Sequence, residues 1–203
     1  MTSRLILAFD TSAAHCAAAL LSGKCLIAAR TEPMDKGQAE RLLPLLEEVM
    51  TEGGASWRDL DALAVGTGPG NFTGVRIAVA TARGLALALR IPAIGITTLE
   101  ALAEGLPRPL TVIEDARRGE VYWQEFTADG PGAASLRATG PLPEGHRTGS
   151  AAGEGALPAA LPLAEAIARA AARLGPSDTR PAPFYLRGAD AAPPADPPPV
   201  ILP

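Results

Sequence analysis

The sequence predicts an α/β fold in which helices flank a mixed sheet and in which a second, reduced lobe repeats the first. Short apolar runs alternate with helical patterns over residues 5–105, in the order βββ-α-β-α-β-α. A strand, an acid-bearing turn and another strand occur near residue 10 and again near residue 115, after which the periodicity fades. We therefore expect a first lobe over 1–105, a reduced lobe over 106–175 and an extended, mobile, proline-rich tail over 176–203.

Composition narrows the class of protein. A chain of 203 residues can bury a substantial core, and its formal net charge of −4 gives no general attraction to nucleic acid or to anionic membranes. No run of roughly eighteen apolar residues occurs, so we expect no transmembrane helix, and the N-terminus lacks a signal-peptide pattern. If the turn between Cys16 and Cys25 pairs Leu20 with Cys25, the thiols lie about 13 Å apart along the sheet, too far for a disulfide. We expect a reduced, cytoplasmic protein.

The first three strands are predicted over 5–9, 15–21 and 25–30, as an antiparallel meander. Asp10, Thr11 and Ser12 form the first turn of this meander. Actin-like ATPases and sugar kinases open in this way, and in those folds such a turn holds metal and phosphate. The pattern therefore favours an actin-like ATPase (RNase H-like) fold. Whether Asp10 contacts phosphate or only caps its own turn remains open at this stage.

An amphipathic helix is predicted over 38–51, where apolar side chains cover about half of the circumference. Pro44 lies within it and should kink the helix or mark a late start. A strand over 63–65 then leads into a glycine-rich loop, whose glycines are Gly66, Gly68, Gly70 and Gly74.

A strand, a glycine turn and a helix N-terminus are together typical of an anion site. This loop matches neither common phosphate motif. A Walker A loop needs lysine after its last glycine, where Val75 stands, and a dinucleotide fingerprint needs glycine where Thr73 stands. We therefore favour a structural role, a tight turn that lets the next helix pack closely on the sheet, with Thr73 as its N-cap.

The helix predicted over 73–90 is small-sided and nearly free of charge. Arg76, Arg83 and Arg90 fall on one narrow stripe, and most of the remaining circumference is apolar. This arc exceeds what one sheet face can cover, so we expect burial on two sides, one of them against a partner helix. The expected partner surface combines the flank beside the arginine stripe with the apolar face of helix 38–51. It consists of Leu42, Leu45, Leu46, Val49, Val75, Val79, Ala82 and Ala86.

The remaining elements are a strand over 94–96, a short helix from Thr98, strands over 110–113 and 121–126, and an alanine-rich helix over 161–174. Catalytic constellations are scarce. His15 and His146 lack zinc-ligand spacing. Asp10 and Asp115 could face each other across an interlobe cleft, but the second lobe is too reduced to close one. We expect no catalytic residue, no metal and no cofactor.

Several segments resemble the TsaB (YeaZ) family of bacterial proteins of threonylcarbamoyladenosine tRNA modification. They are ILAFDTS at 6–12, ERLLP at 40–44, GTGPGNFTGVR at 66–76, DARRGEVY at 115–122 and YLR at 185–187. The likeness is good over 4–127 and thin afterwards. Many relatives carry a histidine just before ERLLP, whereas this chain has Gly-Gln-Ala at 37–39, which weakens any metal role.

The resemblance implies an actin-like fold without its own catalysis. It also implies a heterodimer with a TsaD-type catalytic subunit, joined by a TsaE-type ATPase. That assembly transfers threonylcarbamoyl to the adenosine beside the anticodon of tRNAs reading ANN codons, so tRNA is reached through the complex, with no membrane involved. A homodimer of the isolated chain stays open.

The competing function is an actin-like ATPase or small-molecule kinase that uses Asp10 and the glycine loop 66–74. ATP binding by the isolated chain would discriminate between the two functions.

Overall fold

The computed structural model describes residues 4–175 and 179–187 and contains two sheets. The first sheet has the strand order β3-β2-β1-β4-β5, with β1–β2 and β2–β3 antiparallel and β1–β4 and β4–β5 parallel. Its strands are β1 (Leu5–Asp10), β2 (His15–Ser22), β3 (Cys25–Pro33), β4 (Ala62–Gly66) and β5 (Ala93–Ile96).

Helices cover both faces of this sheet, so its central strands are apolar on both sides. Alternation along β1 sends Leu7 and Phe9 toward one core and Ile6 and Ala8 toward the other. The first core lies under α1 (Gln38–Glu52) and α2 (Phe72–Leu89), and the second lies under α4 (Leu163–Leu174). Because β1 and β4 are buried on both faces, they appear in the sequence as continuous apolar runs.

The second sheet repeats the start of the first. It contains β6 (Leu110–Arg117), β7 (Glu120–Thr127), β8 (Gly130–Pro131), β9 (Ser135–Ala138) and β10 (His146–Thr148). Strands β6 and β7 are antiparallel, as β1 and β2 are, and β10 pairs parallel with β6, as β4 does with β1. The chain thus has the predicted actin-like fold, with a reduced second lobe.

Helix α4 changes the expected lobe boundary. It follows the second sheet in sequence, but its buried side chains, including Ala166, Ile167 and Ala170, pack on the first sheet. The short helix α3 (Thr98–Ala103), predicted from Thr98, contributes Leu99 and Ala103 to the core of the second lobe. The range 106–175 therefore does not form one lobe by packing, because its last helix completes the first.

Three local expectations are also corrected. Asn71, rather than Thr73, caps α2: its side-chain oxygen accepts hydrogen bonds from the backbone N–H groups of Thr73 and Gly74 at 3.0 and 3.1 Å. Helix α1 begins at Gln38 and continues through the exposed Pro44, so it does not start late.

The β2–β3 turn pairs Ser22 with Cys25, whereas Leu20 pairs with Ala28 after a register shift. The expected pairing of Leu20 with Cys25 is therefore wrong. Cys16 and Cys25 are both free thiols.

Residues 179–187, called the strap below, run extended along α2 to the second lobe. The other residues of the predicted tail, 176–178 and 188–203, lie outside the described residues, so the expected mobility is a prediction there.

Helix α2 is also long and apolar enough, with a mean hydropathy of 1.4, to cross a membrane by length and composition alone. This departs from the expectation of no such segment. Its position against the first sheet is the one that a core helix of an α/β domain takes, and a core helix meets the same criteria.

The two thiols should differ in reactivity. Burial raises the pKa of the Cys16 thiol to about 11, and the negative charge of Glu32 adds to the rise, whereas Cys25 is exposed. The thiolate is the reactive form, so at about pH 8 iodoacetamide should alkylate Cys25 and spare Cys16 until denaturant is added. Mass spectrometry of the labelled chain measures both sites. Equal labelling of the two thiols in the folded chain would contradict the buried position of Cys16.

Candidate functional site

The Asp10 turn, the position where an actin-like ATPase would bind phosphate, is fully buried. Oδ1 of Asp10 accepts hydrogen bonds from the backbone N–H and the hydroxyl of Ser12, both at 2.8 Å. Nε2 of His15 lies 2.8 Å from the same oxygen. Oδ2 has no hydrogen-bond partner among the described residues and lies against Gly66. The carboxylate therefore organises its own turn.

The glycine loop closes directly onto this turn. A Cβ at Gly66 would overlap the Asp10 carboxylate, and one at Gly74 would overlap the carbonyl of Thr11. The hydroxyl of Thr11 donates a hydrogen bond to the Gly74 carbonyl at 2.7 Å. Glycine is needed at both positions because backbone and side-chain atoms of the turn occupy the space of a side chain.

Gly68 and Gly70 complete this contact in different ways. Gly68 has a φ of +86°, a conformation that suits glycine, and its carbonyl accepts from the backbone N–H of Thr98 at 2.8 Å. Gly70 does not have a positive φ; a Cβ there would meet the Ser12 carbonyl at 2.5 Å. The positive φ thus explains the glycine at position 68, and the close approach of the Ser12 carbonyl explains the glycine at position 70.

The donors that an anion would need are used within the protein. The N–H groups of Thr73 and Gly74 are bound by the Asn71 side chain, and the N–H of Asn71 donates to the Ser12 carbonyl at 2.6 Å. A helix N-terminus binds phosphate through free N–H groups, and here this first turn is capped. This geometry favours the structural role of the loop over the ATPase or kinase alternative.

The other candidate residues do not join Asp10. Asp115 is exposed on β6 and accepts a hydrogen bond from the backbone of Arg117 at 2.8 Å. His146 is exposed at the start of β10. Within residues 4–175 and 179–187, no group of three or more His, Cys, Asp or Glu side chains could hold a metal ion. With Asp10 buried, the two aspartates do not face each other across an open cleft.

The strap contacts the start of α2, a contact that the YLR segment did not predict. The Tyr185 ring stacks on Phe72 with centroids 5.5 Å apart, and the Arg76 guanidinium lies 3.7 Å from the Phe72 ring centroid. Nε of Arg76 donates to the Tyr185 hydroxyl at 2.8 Å, and Nε of Arg83 donates to the Pro181 carbonyl at 2.7 Å. The start of α2 is thereby clamped by an aromatic pair.

Arg187 attaches the other end of the strap to the second lobe. It forms an ion pair with Glu120 at 2.6 Å and donates to the Ala116 carbonyl at 2.8 Å. The sequence signal for this contact was the YLR segment, an apolar island ending in a cation within the proline-rich tail.

The predicted partner surface is largely core. Among its members, Val75, Val79 and Ala82 of α2 are 0–2% exposed, and Ala86 is half-buried. The α1 members are also buried; they are Leu42, Leu45, Leu46 and Val49. These side chains pack in the chain's own core, so a partner cannot meet them directly. This side of α2 packs inward on the core, so the isolated chain does not expose the predicted flank.

The exposed side of α2 lies on the other side of the arginine stripe. Its small and apolar residues span an arc of about 100° at 100° per residue. They are Thr73, Ala80, Gly84, Leu87 and Ala88, called the small face below. Leu87 is 79% exposed, and Gly84 has open space where a Cβ would point. On neighbouring α1, Leu43 is also exposed.

Comparisons of the sequence connect the chain to tRNA modification. Residues 32–134 match a family model described as TsaD, tRNA N6-adenosine threonylcarbamoyltransferase. The tRNA threonylcarbamoyladenosine biosynthesis protein TsaB of Escherichia coli is 42% identical over 130 residues, which are 61% of this chain and 55% of that protein. TsaB of Haemophilus influenzae is 37% identical over 136 residues, 64% of this chain and 56% of its own length. The chain thus spans little more than half the length of these relatives.

Comparisons of structures agree with this result. YeaZ from Pseudomonas aeruginosa superposes with a TM-score of 0.72 and 29% identity, over 90% of this chain and 100% of that one. A second structure from the same organism, described as similar to peptidase YEAZ, gives a TM-score of 0.73 over 91% of this chain.

Two glycines of α2 provide a matched test of the loop packing. Gly74→Ala places a methyl group on the Thr11 carbonyl, and a backbone atom can yield only if the loop moves, so we expect a loss of roughly 2–3 kcal/mol of unfolding free energy. Gly84→Ala, in open space on the same helix, should gain about 0.5–1 kcal/mol. Urea unfolding measures both variants. Equal stabilities for the two would contradict the close approach of the loop to the turn.

Proposed function

Because the chain belongs to the TsaB (YeaZ) family, we propose that it is a non-catalytic scaffold subunit in tRNA threonylcarbamoyladenosine biosynthesis. In this proposal it heterodimerises with a TsaD-type catalytic subunit, and a TsaE-type ATPase joins the pair. The complex modifies the adenosine next to the anticodon of tRNAs that read ANN codons, and tRNA meets this chain within the complex.

One observation carries the scaffold role: the loop that would bind a nucleotide is closed onto the Asp10 turn. The carboxylate is buried, and Asn71 and the Ser12 carbonyl take the N–H groups at the start of α2. Opening this site for ATP would expose the Asp10 turn and break the hydrogen bond between Thr11 and Gly74. A chain with this arrangement contributes surface rather than chemistry.

The small face of α2 is the surface that we assign to the TsaD-type subunit. Gly84 and Ala80 lie one helical turn apart, so another helix can approach the backbone closely between them. Leu87 and Leu43 supply exposed apolar side chains on α2 and α1. Large exposed apolar groups on adjacent helices are typical of association surfaces. We assign the catalytic subunit to the small face because the proposed function requires a second chain that supplies the chemistry.

Charge on the small face should weaken the complex. Leu87→Glu would replace the most exposed apolar side chain of the small face with a carboxylate that the contact would bury, so we expect at least a tenfold weaker complex, or about 1.4 kcal/mol. Leu174→Glu, another exposed leucine at the end of α4, is the matched control and should bind normally. Size-exclusion chromatography with the TsaD-type subunit measures both.

Ala82→Arg separates this surface from the buried flank. Ala82 is fully buried in the first core, so arginine there should unfold the isolated chain, as circular dichroism would show, whereas Leu87→Glu should leave it folded. A folded Ala82→Arg variant that loses the complex would return the interface to the flank. An intact complex with the Leu87→Glu variant would place the interface elsewhere. If the unaltered chain alone is a dimer and the Leu87→Glu variant is a monomer, a homodimer uses the same face.

The isolated chain should bind neither ATP nor zinc with useful affinity. ATP should not bind because the glycine loop is closed onto the Asp10 turn and because no lysine follows Gly74. Isothermal titration calorimetry with ATP and Mg²⁺, and separately with Zn²⁺, measures this. A magnesium-dependent ATP site of about micromolar affinity, lost in Asp10→Asn, would support the kinase or ATPase function instead.

A further inference from the structure

Four arginines along one edge of α2 and on the strap lie near one another without a carboxylate partner among the described residues. Several other arginines are paired with carboxylates, among them Arg30 with Glu48 and Glu52, and Arg41 with Glu32 and Glu48. Similar pairs hold Arg169, Arg173 and Arg187. In the described part of the chain, no carboxylate forms a salt bridge with the four arginines beside the strap. They are Arg76, Arg83, Arg90 and Arg180, called the arginine edge below.

Local composition explains why this edge is not neutralised. Residues 62–99 and the strap, 179–187, contain five arginines and no aspartate or glutamate. The remaining chain therefore carries all of the acidic residues behind the net charge of −4. A concentrated positive edge on an acidic protein is a local site for a polyanion, which the overall charge conceals.

The geometry of the edge is fixed by the fold. Arg76, Arg83 and Arg90 are seven residues apart, so their Cα atoms follow one side of the helix at intervals of about 10.5 Å. The first two donate through Nε to the strap, to the Tyr185 hydroxyl and the Pro181 carbonyl. These bonds hold the guanidinium groups in place and leave their Nη groups for an anion.

A cleft of about 550 Å³ lies at the far end of this edge, between α2, the turn after it and the strap. Arg83, Arg90 and Arg180 line it together with Thr179 and apolar residues, and Gly84 and Leu87 of the small face form its border with that surface. No acidic side chain contributes to its lining among the described residues. Arg90 has a φ of +57° at the helix C-cap, where glycine is the unstrained choice. The partial negative charge of the helix end, about half an elementary charge, opposes an anion there, but three guanidinium groups outweigh it.

We propose that the arginine edge binds the phosphate backbone of RNA. Phosphate suits the forked donors of arginine, and a row of regularly spaced arginines suits a chain of phosphates better than a single anion. At the start of the edge, Tyr185 is about half exposed where it stacks on Phe72, and an exposed aromatic ring beside a basic track is typical of single-stranded RNA binding. The choice of RNA over other polyanions rests on the proposed function.

The test uses the full chain and a fluorescein-labelled anticodon stem–loop RNA, with fluorescence anisotropy recorded over a series of salt concentrations. The variant Arg90→Gln with Arg180→Gln removes two charges whose side chains make no hydrogen bond to a described residue. We expect about tenfold weaker binding at low salt, and a slope of log K against log salt that falls by about 1.4.

The matched control is Arg30→Gln with Arg58→Gln, which changes the net charge equally on β3 and on the 3-10 turn before β4. We expect less than a twofold effect from it. An equal loss in both double variants, or no RNA binding by the unaltered chain, would overturn the proposal. Competition by free ATP at micromolar concentration would instead make the cleft a nucleotide site. If phosphatidylserine vesicles bind through Arg90 and Arg180 and RNA binding does not depend on them, the edge is a membrane surface. The ATP result and the vesicle result each overturn the RNA assignment.

Complex formation distinguishes this proposal from the proposed function. Arg90 and Arg180 lie outside the small face, so the double variant should still co-elute with the TsaD-type subunit. If the unaltered chain does not form the complex but binds RNA through Arg90 and Arg180, only the scaffold role is contradicted. A normal complex with RNA binding that is insensitive to those arginines would contradict this inference alone.

Discussion

The contact between the glycine loop and the Asp10 turn determines where the functional parts of this chain lie. Gly66 meets the Asp10 carboxylate and Gly74 meets the Thr11 carbonyl, so the backbone of one segment occupies the side-chain space of the other. This contact sets the start of α2 against the first sheet. Helix α2 in turn carries the strap through Arg76 and Arg83, and the strap reaches the second lobe through its last arginine.

The same contact fills the position at which an actin-like ATPase would bind phosphate. A phosphate at this position would need free N–H groups at the start of α2 and an accessible carboxylate. Asn71 binds two of those N–H groups, and Asp10 is buried with one oxygen committed to Ser12 and His15. The fold of an ATPase is thus retained while its ligand position is filled by the protein itself, which agrees with a scaffold role.

Local patterns predicted the fold well, because strands buried on both faces and amphipathic helices leave direct traces in the sequence. They did not place α4, whose apolar side suits either sheet and whose position depends on contacts distant in sequence. Nor could they separate the core from a partner surface on α2. Val75 and Ala80 are both small and apolar, and only the packing of α2 on the first core decides which one is covered. The YLR segment indicated that the tail mattered, but its partners Phe72 and Glu120 lie far away in the chain.

The exposed half of α2 combines two kinds of surface whose requirements differ. Close helix packing needs small residues and excludes unpaired charge, because a buried, unpaired guanidinium would cost several kcal/mol. Arginines at seven-residue spacing instead stay on the solvent side next to the strap, where carboxylates are absent from the neighbouring sequence. Placing both surfaces side by side on one helix would let a protein partner cover the small residues while the charged edge stays open at the rim of the interface. An RNA held by that partner could then contact the arginines that border the interface.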